Sequence, residues 1–331
     1  MPKFSENLAA GAGLCLMASL LAWAAAGLSW NHKLQLSPLT LAIVAGMVAG
    51  NTIPRGLLER LHPGLRFSQQ TLLRLGIVFY GLRLTMRDLA NLGPRAMVLD
   101  LTVIGTVLTL GYWLGTRVFG LDADTALLVS AGSGICGAAA VLATERVIDS
   151  ESHKVSVAVA TVVVFGTIAM FLYPVLYPWT GFTERQFGIY TGATVHEVAQ
   201  ALAAGRAVSQ AASDTAVITK MLRVLLLAPV LVVISRLRSG ALSVARKIKF
   251  PWFVAWFGAV IVAQSLVKLP ATIRTHLIDF DTVLLSSAMF ALGMATRWHQ
   301  LKQAGTRPLL LAATIFGGLV CGGWVMTRLL V

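Results

Sequence analysis

The chain of 331 residues is 56% hydrophobic and 12% charged, with a mean hydropathy of +0.76. A soluble domain carries about 25% charged residues, so a soluble globular fold is excluded and an all-α polytopic membrane protein is expected. The formal net charge of +13 does not indicate nucleic-acid binding, because excess Lys and Arg in a membrane protein mark cytoplasmic loops.

About eleven transmembrane helices fit, since a hydrocarbon core of about 30 Å takes roughly 20 apolar residues. Span 1 covers 8–28 and is an extra N-terminal span, too long for a signal-peptide core, so no cleavage is expected. Span 2 covers 38–53 and is followed by a basic, amphipathic connector over 55–66. Span 3, 68–85, carries Arg74 and Arg83 near opposite ends, each a candidate for substrate contact. Span 4, 94–118, has Asp100 near its start, where it reads as structural. Span 5 covers 121–148. Span 6, 155–179, ends in FLYPVLYPW, an interface belt of aromatics. Span 7, 187–205, contains His196, Glu197 and Gln200, and span 8, 215–234, contains Lys220 and Arg223. Spans 9, 10 and 11 cover 250–267, 278–296 and 308–330. Residues 1–331 are expected to form a single transmembrane transporter domain. Cys15, Cys136 and Cys321 lie in apolar runs, with no disulfide framework and no Cys-x-x-Cys motif.

Span 5 is the unusual one. As one helix it would run about 42 Å, longer than the core of about 30 Å. Its middle reads Gly132-Ser133-Gly134-Ile135-Cys136-Gly137, and each Gly costs a helix roughly 1 kcal/mol relative to Ala. Two half-helices meeting at Gly132-Ser133-Gly134 are expected. Broken backbone at membrane depth is tolerated only against protein, water or a ligand. Ser133 would cap the second half-helix. The N–H groups of Ile135, Cys136 and Gly137 would then point into the break at a positive dipole end, an anion site. The same small residues also suit a plain helix–helix contact, and Cys136 reads as packing. Span 7 or span 10 is expected to be interrupted as well.

Charged groups inside spans mark functional sites by default. Glu197 and Gln200, three apart, would share a helix face, with His196 pointing elsewhere. The pattern H-E-x-x-Q lacks the second His of the zinc-protease motif, so no metal is expected. Glu197 could carry a proton, bind a cation, or be a structural carboxylate. Lys220 and Arg223, also three apart, could neutralise an anion or pair with Glu197, and Lys220 could snorkel to an interface.

The segment 235–250 holds Arg236, Arg238, Arg246, Lys247 and Lys249 and no acid. It reads as a basic cytoplasmic loop, and Arg55, Arg60, Arg66, Arg297, Lys302 and Arg307 fall on the same side, which places the N-terminus in the cytoplasm. Two internal echoes suggest an inverted repeat. Asp124-Thr125-Ala126-Leu127-Leu128-Val129-Ser130-Ala131 matches the run from Asp281 to Ala288 at six of eight positions. Gly81, Leu89 and Gly93 match Gly293, Leu301 and Gly305. The two registers conflict, and the sequence does not choose between them.

The runs GSGICGAAAVLATE, TVHEVAQALAAG and KMLRVLLLAP, together with LTLAIVAGMVAGN, LLRLGIVFYGLRLT and FPW, resemble the YeiH-like family of bacterial inner-membrane proteins, which is named for sulfate export. The resemblance implies a multi-pass protein of the bacterial inner membrane that moves sulfate or a related sulfur oxyanion. The expected function is secondary transport of a small anion by alternating access, with H+ or Na+ as coupling ion. Gly132, Ser133, Gly134, Ile135, Cys136, Gly137, Lys220 and Arg223 would line the substrate site, and His196, Glu197 and Gln200 would couple the ion. The alternative is a cation–proton antiporter with Glu197 as its ion site. An intramembrane enzyme using His196, Glu197 or Cys136, or a passive channel, fits less well. No cofactor is expected; the partners are the lipid bilayer and the transported ions, with a homodimer allowed but not required.

Overall fold

The computed structural model describes residues 2–28, 37–239, 252–267, 269–296 and 305–331, and every regular element among them is helical. In chain order these are α1 (Pro2–Ala26), α2 (Pro38–Thr52), α3 (Arg55–Phe67), α4 (Leu73–Tyr80), α5 (Met86–Trp113), α6 (Ala123–Ala131), α7 (Ala138–Ile148), α8 (Ser152–Thr180), α9 (Glu184–Thr194), α10 (Val198–Arg206), α11 (Gln210–Ser239), α12 (Trp252–Leu266), α13 (Ala271–Ala295) and α14 (Thr306–Leu330). Six helices among the described residues are long and apolar enough to cross a membrane: Ser5–Ala26, Leu92–Val118, Ser152–Thr180, Gln210–Arg238, Thr272–Ala295 and Thr306–Leu330. Shorter apolar helices cover Pro38–Thr52, Ala123–Cys136 and Trp252–Leu266. The protein is an all-α polytopic membrane protein.

Two compact units form, and neither is continuous in sequence. The first is Met1–Leu89 with Trp252–Trp298. Its centre is α13 against α2. Ser37 starts α2 by accepting the Thr40 N–H at 3.2 Å, with Pro38 in the first turn. The two helices touch backbone to backbone: a Cβ on Gly46 would lie 2.9 Å from the Phe290 carbonyl carbon, and one on Gly293 would lie 2.8 Å from the Met47 nitrogen. Arg83 closes the same unit. Its Nε and Nη2 donate to Asp281 Oδ2 at 3.0 and 2.9 Å, and Nη2 also donates to the Thr282 hydroxyl at 2.9 Å. The Arg74 guanidinium lies 6.0 Å from the Phe253 ring centroid. Arg83 is therefore engaged within this unit, while Arg74 stays exposed beside Phe253. The connector α3 is amphipathic as expected, burying Leu58, Leu61 and Leu65 and exposing Arg55, Arg60 and Arg66.

The second unit is Ala90–Pro251 with His299–Val331. Within it, α5 continues through a π turn at Leu114–Val118, and α6 continues through another at Gly132–Cys136. Span 7 is the second interrupted helix, split into α9 and α10, whereas span 10 is the unbroken α13. That difference bears on the first internal echo. The Asp124 run opens a broken helix of the second unit, while the Asp281 run lies inside unbroken α13 of the first. Gly93 (φ 71, ψ 170) and Gly305 (φ 80, ψ 155), by contrast, share one backbone conformation at the head of two long helical runs. In that echo, however, Gly81 opens a 3-10 turn after the short α4, whereas Gly293 lies inside unbroken α13; Leu301 lies outside the described residues.

The basic segment starts inside a helix. Arg236 and Arg238 occupy the last turn of α11, where cations suit the negative dipole end, and Arg238 donates to Asp124 at 2.6 Å. Arg246, Lys247, Lys249, Arg297 and Lys302 lie outside the described residues.

Candidate functional site

The two interrupted helices meet within the second unit. Asp122 starts α6 by accepting the Thr125 N–H at 3.2 Å. The helix then absorbs Gly132-Ser133-Gly134 in its π turn, and the Gly137 N–H still donates to Gly132 O at 3.0 Å. The break comes at Gly137, with φ 75 and ψ −141, a conformation that L side chains rarely adopt. A Cβ there would also collide with the Glu197 side chain, 3.0 Å from its Oε1. The expected break at Gly132-Ser133-Gly134 is thus corrected: a π turn accommodates an extra residue without ending the helix. Ile135 and Cys136 belong to that turn and not to the second half-helix. Ser133 caps nothing; its hydroxyl is buried, with no hydrogen-bond partner among the described residues.

The other helix, α9, opens with a capping box of Thr183 and Gln186 and ends at Thr194. Val195 and Glu197 are extended, and α10 restarts at Val198. Glu197 is the residue before the helix, and its N–H donates to Gln200 Oε1 at 3.2 Å. The expected shared helix face is therefore a cap, since Glu197 is not helical. Gln200 packs on α8, where a Cβ on Gly166 would lie 2.7 Å from its Nε2. His196 is fully buried, 6.3 Å from the Phe316 ring by centroids, and neither ring nitrogen has a partner among the described residues.

One hydrogen bond joins the two breaks. Glu197 Oε1 accepts the Ala138 N–H at 3.2 Å, so a carboxylate from the second break sits on the positive N-terminus of α7. Two cations of α11 hold the negative ends of the preceding half-helices. Lys220 Nζ donates to Val195 O, and Arg223 donates to Gly134 O through Nε at 3.0 Å and through Nη2. Lys220 is fully buried and does not snorkel. The breaks and the basic pair, read separately in the sequence, are thus parts of one arrangement.

Asp100 joins it too. It is fully buried, and its Oδ1 lies 4.0 Å from Arg223 Nη1. The sequence reading placed it at the edge of a span; position along a helix does not reveal lateral burial, and the usable signal was an acid inside an apolar span. Lys220 and Arg223 thus stand with Glu197 and Asp100, two basic and two acidic side chains. Of these four, Glu197 alone keeps accessible surface, next to half-buried Ala138 and exposed Ala139. Among the described residues no three of His, Cys, Asp or Glu come together as metal ligands.

Residues 10–312 match the family model described as Conserved hypothetical protein 698. The inner membrane protein YeiH of Escherichia coli K12 is 49% identical over 293 residues, 87% of this chain and 84% of that one. YeiH of Salmonella typhimurium is 48% identical over 301 residues, covering 89% and 86%. A membrane protein of Pseudomonas aeruginosa is 47% identical over 317 residues, covering 91% and 88%. No solved structure matches. The chain therefore belongs to the YeiH-like (UPF0324) family of bacterial membrane proteins, and the three relatives above carry a membrane location and no activity in their names.

Proposed function

We propose that the protein is a secondary transporter of a small anion, sulfate or a related sulfur oxyanion, that works by alternating access and uses H+ or Na+ as coupling ion. The observation that carries the reading is the Glu197 carboxylate on the Ala138 N–H, at a crossing of two broken helices. A helix N-terminus favours an anion, and here a tethered carboxylate occupies it. Loading Glu197 with a proton or a cation removes its charge, and Lys220 and Arg223 then exceed the remaining acid. A mobile anion is drawn to the same place. Lys220 and Arg223 act mainly through their field, since their hydrogen bonds already go to Val195 O and Gly134 O. The half-helices on either side of Gly137 and Glu197 are the elements that move. The choice of a sulfur oxyanion rests on the resemblance to the family named for sulfate export. The protein would lie in the bacterial inner membrane with its N-terminus in the cytoplasm.

A second reading, a cation–proton antiporter, is favoured by the balance of charges and by the accessible carboxylate. Proteoliposomes separate the two. The anion reading predicts uptake of labelled sulfate, sulfite or thiosulfate driven by a pH or Na+ gradient, and Glu197→Gln should leave uptake uncoupled from that gradient. Cation exchange that ignores the anion supplied would replace it with the antiporter reading.

A further inference from the structure

Asp100 is the acid of the apolar run Leu92–Val118, and the proposed cycle has not used it. It has no accessible surface, and neither carboxylate oxygen has a hydrogen-bond partner among the described residues. Its neighbour Arg223 is equally buried. Two of the three guanidinium nitrogens, Nε and Nη2, are on Gly134 O. The third, Nη1, is also unpartnered and lies 4.0 Å from Asp100 Oδ1. That separation exceeds a hydrogen bond, which spans about 2.7–3.2 Å. The guanidinium thus faces two acceptors and holds one. An ionised carboxylate without hydrogen bonds is costly in a low-dielectric interior, whereas the acid form is neutral.

We infer that Asp100 is a second proton-binding site of the protein, and that Arg223 is the arm through which it acts on the broken helix. With the proton on Asp100, Arg223 stays on the Gly134 carbonyl, as observed. When the O–H bond breaks and the proton passes to water, the carboxylate draws the guanidinium toward itself, and Gly134 O loses donors. The π turn before Gly137 is then free to move. The charged groups that act on Asp100 are Arg223 and Lys220, both on α11. The π turn meets α5 through uncharged Gly134, which packs on Val107. Lys220 stays on Val195 O, and it is Arg223 Nη1 that lies 4.0 Å from Asp100, so Arg223 is the arm. The place of this proton in a transport cycle rests on the proposed function; the site itself does not.

The test is an infrared difference titration of the purified full-length protein, alongside its thermal midpoint. The expected result is a pH-sensitive carboxylic-acid band that is present in wild type, retained in Glu197→Gln and lost in Asp100→Asn. The Asp100→Asn midpoint should match wild type, because the amide leaves Arg223 on Gly134. If Asp100→Asn removes no band and melts well below wild type, Asp100 is one half of a fixed ion pair and the inference fails. Should Asp100→Asn not fold, Asp100→Glu decides: a displaced band supports the site, and a spectrum that superimposes on wild type overturns it. A protein that moves no anion yet shows the band keeps the proton site and loses the transporter reading. Anion movement without the band does the reverse.

Discussion

Gly137 is where backbone conformation and side-chain packing set the same requirement. Its positive φ and the Glu197 side chain beside it both exclude a Cβ. Gly137→Ala should cost about 1–3 kcal/mol and weaken the Glu197–Ala138 contact, read as a lowered thermal midpoint together with loss of coupled transport. Arg223→Ala should cost about 1–3 kcal/mol, because it leaves the buried Gly134 carbonyl without its side-chain donors. Arg223→Lys should recover part of that loss in the same melting assay. Asp122, ahead of the apolar helix Ala123–Cys136, gives a pH effect. Burial pushes its carboxyl up, but hydrogen bonds from Thr125 and Lys154 outweigh this and hold it at about 2. Its folded value lies below the unfolded one, so the stabilisation is complete above the usual carboxylate range and fades as pH falls toward about 2. The side chain is 48% exposed, so screening limits the effect to less than about 1 kcal/mol. Melting midpoints of wild type and Asp122→Ala should differ slightly near neutrality and converge in acid. At this scale the sequence singled out residues that the structure brings together but not their geometry. The spacing of Glu197 and Gln200 assumed a continuous helix, and glycine propensity located the weak stretch without revealing that a π turn would carry it to Gly137.

At the scale of elements, three of the four half-helix ends at the breaks are met from elsewhere in the chain, and the fourth is capped locally by Glu197 and Gln200. Lys220 and Arg223 serve carbonyl ends, and Glu197 serves an amide end. A broken helix inside a membrane needs such partners, so the charged residues and the breaks form one requirement. That link was legible only in part, because contacts between Arg223 and Gly134 span 89 positions and leave no local pattern. Apolar stretches are more legible, since hydropathy reports them directly, but their ends are not: α13 starts at Ala271 and α11 at Gln210. The close pair α2 and α13 offers a test apart from the site. Gly46→Val would force the helices apart against the Phe290 carbonyl and should cost about 1–3 kcal/mol. Reduced thermal stability is expected, with ion coupling retained in the protein that still folds.

For the molecule as a whole, composition made the membrane assignment plain, and the two-unit organisation did not follow from it. Each unit draws on distant segments of the chain, and apolar low-complexity runs carry little pairing information. Buried charge is concentrated in the second unit's crossing, with Arg83 and Asp281 as the counterpart in the first. The central claim is that Glu197 occupies an anion's place and yields it on loading with a coupling ion. Thermal stability of the purified protein against sulfate, sulfite, thiosulfate, chloride and Na+, at a neutral and an acidic pH, tests it most directly. An anion at a hundred times its Kd should stabilise the folded state by about 2.7 kcal/mol. A sulfur oxyanion should stabilise the protein, more strongly in acid or with Na+, and Glu197→Gln should lose this dependence. Stabilisation by Na+ or acid alone, with no response to any anion, would contradict it.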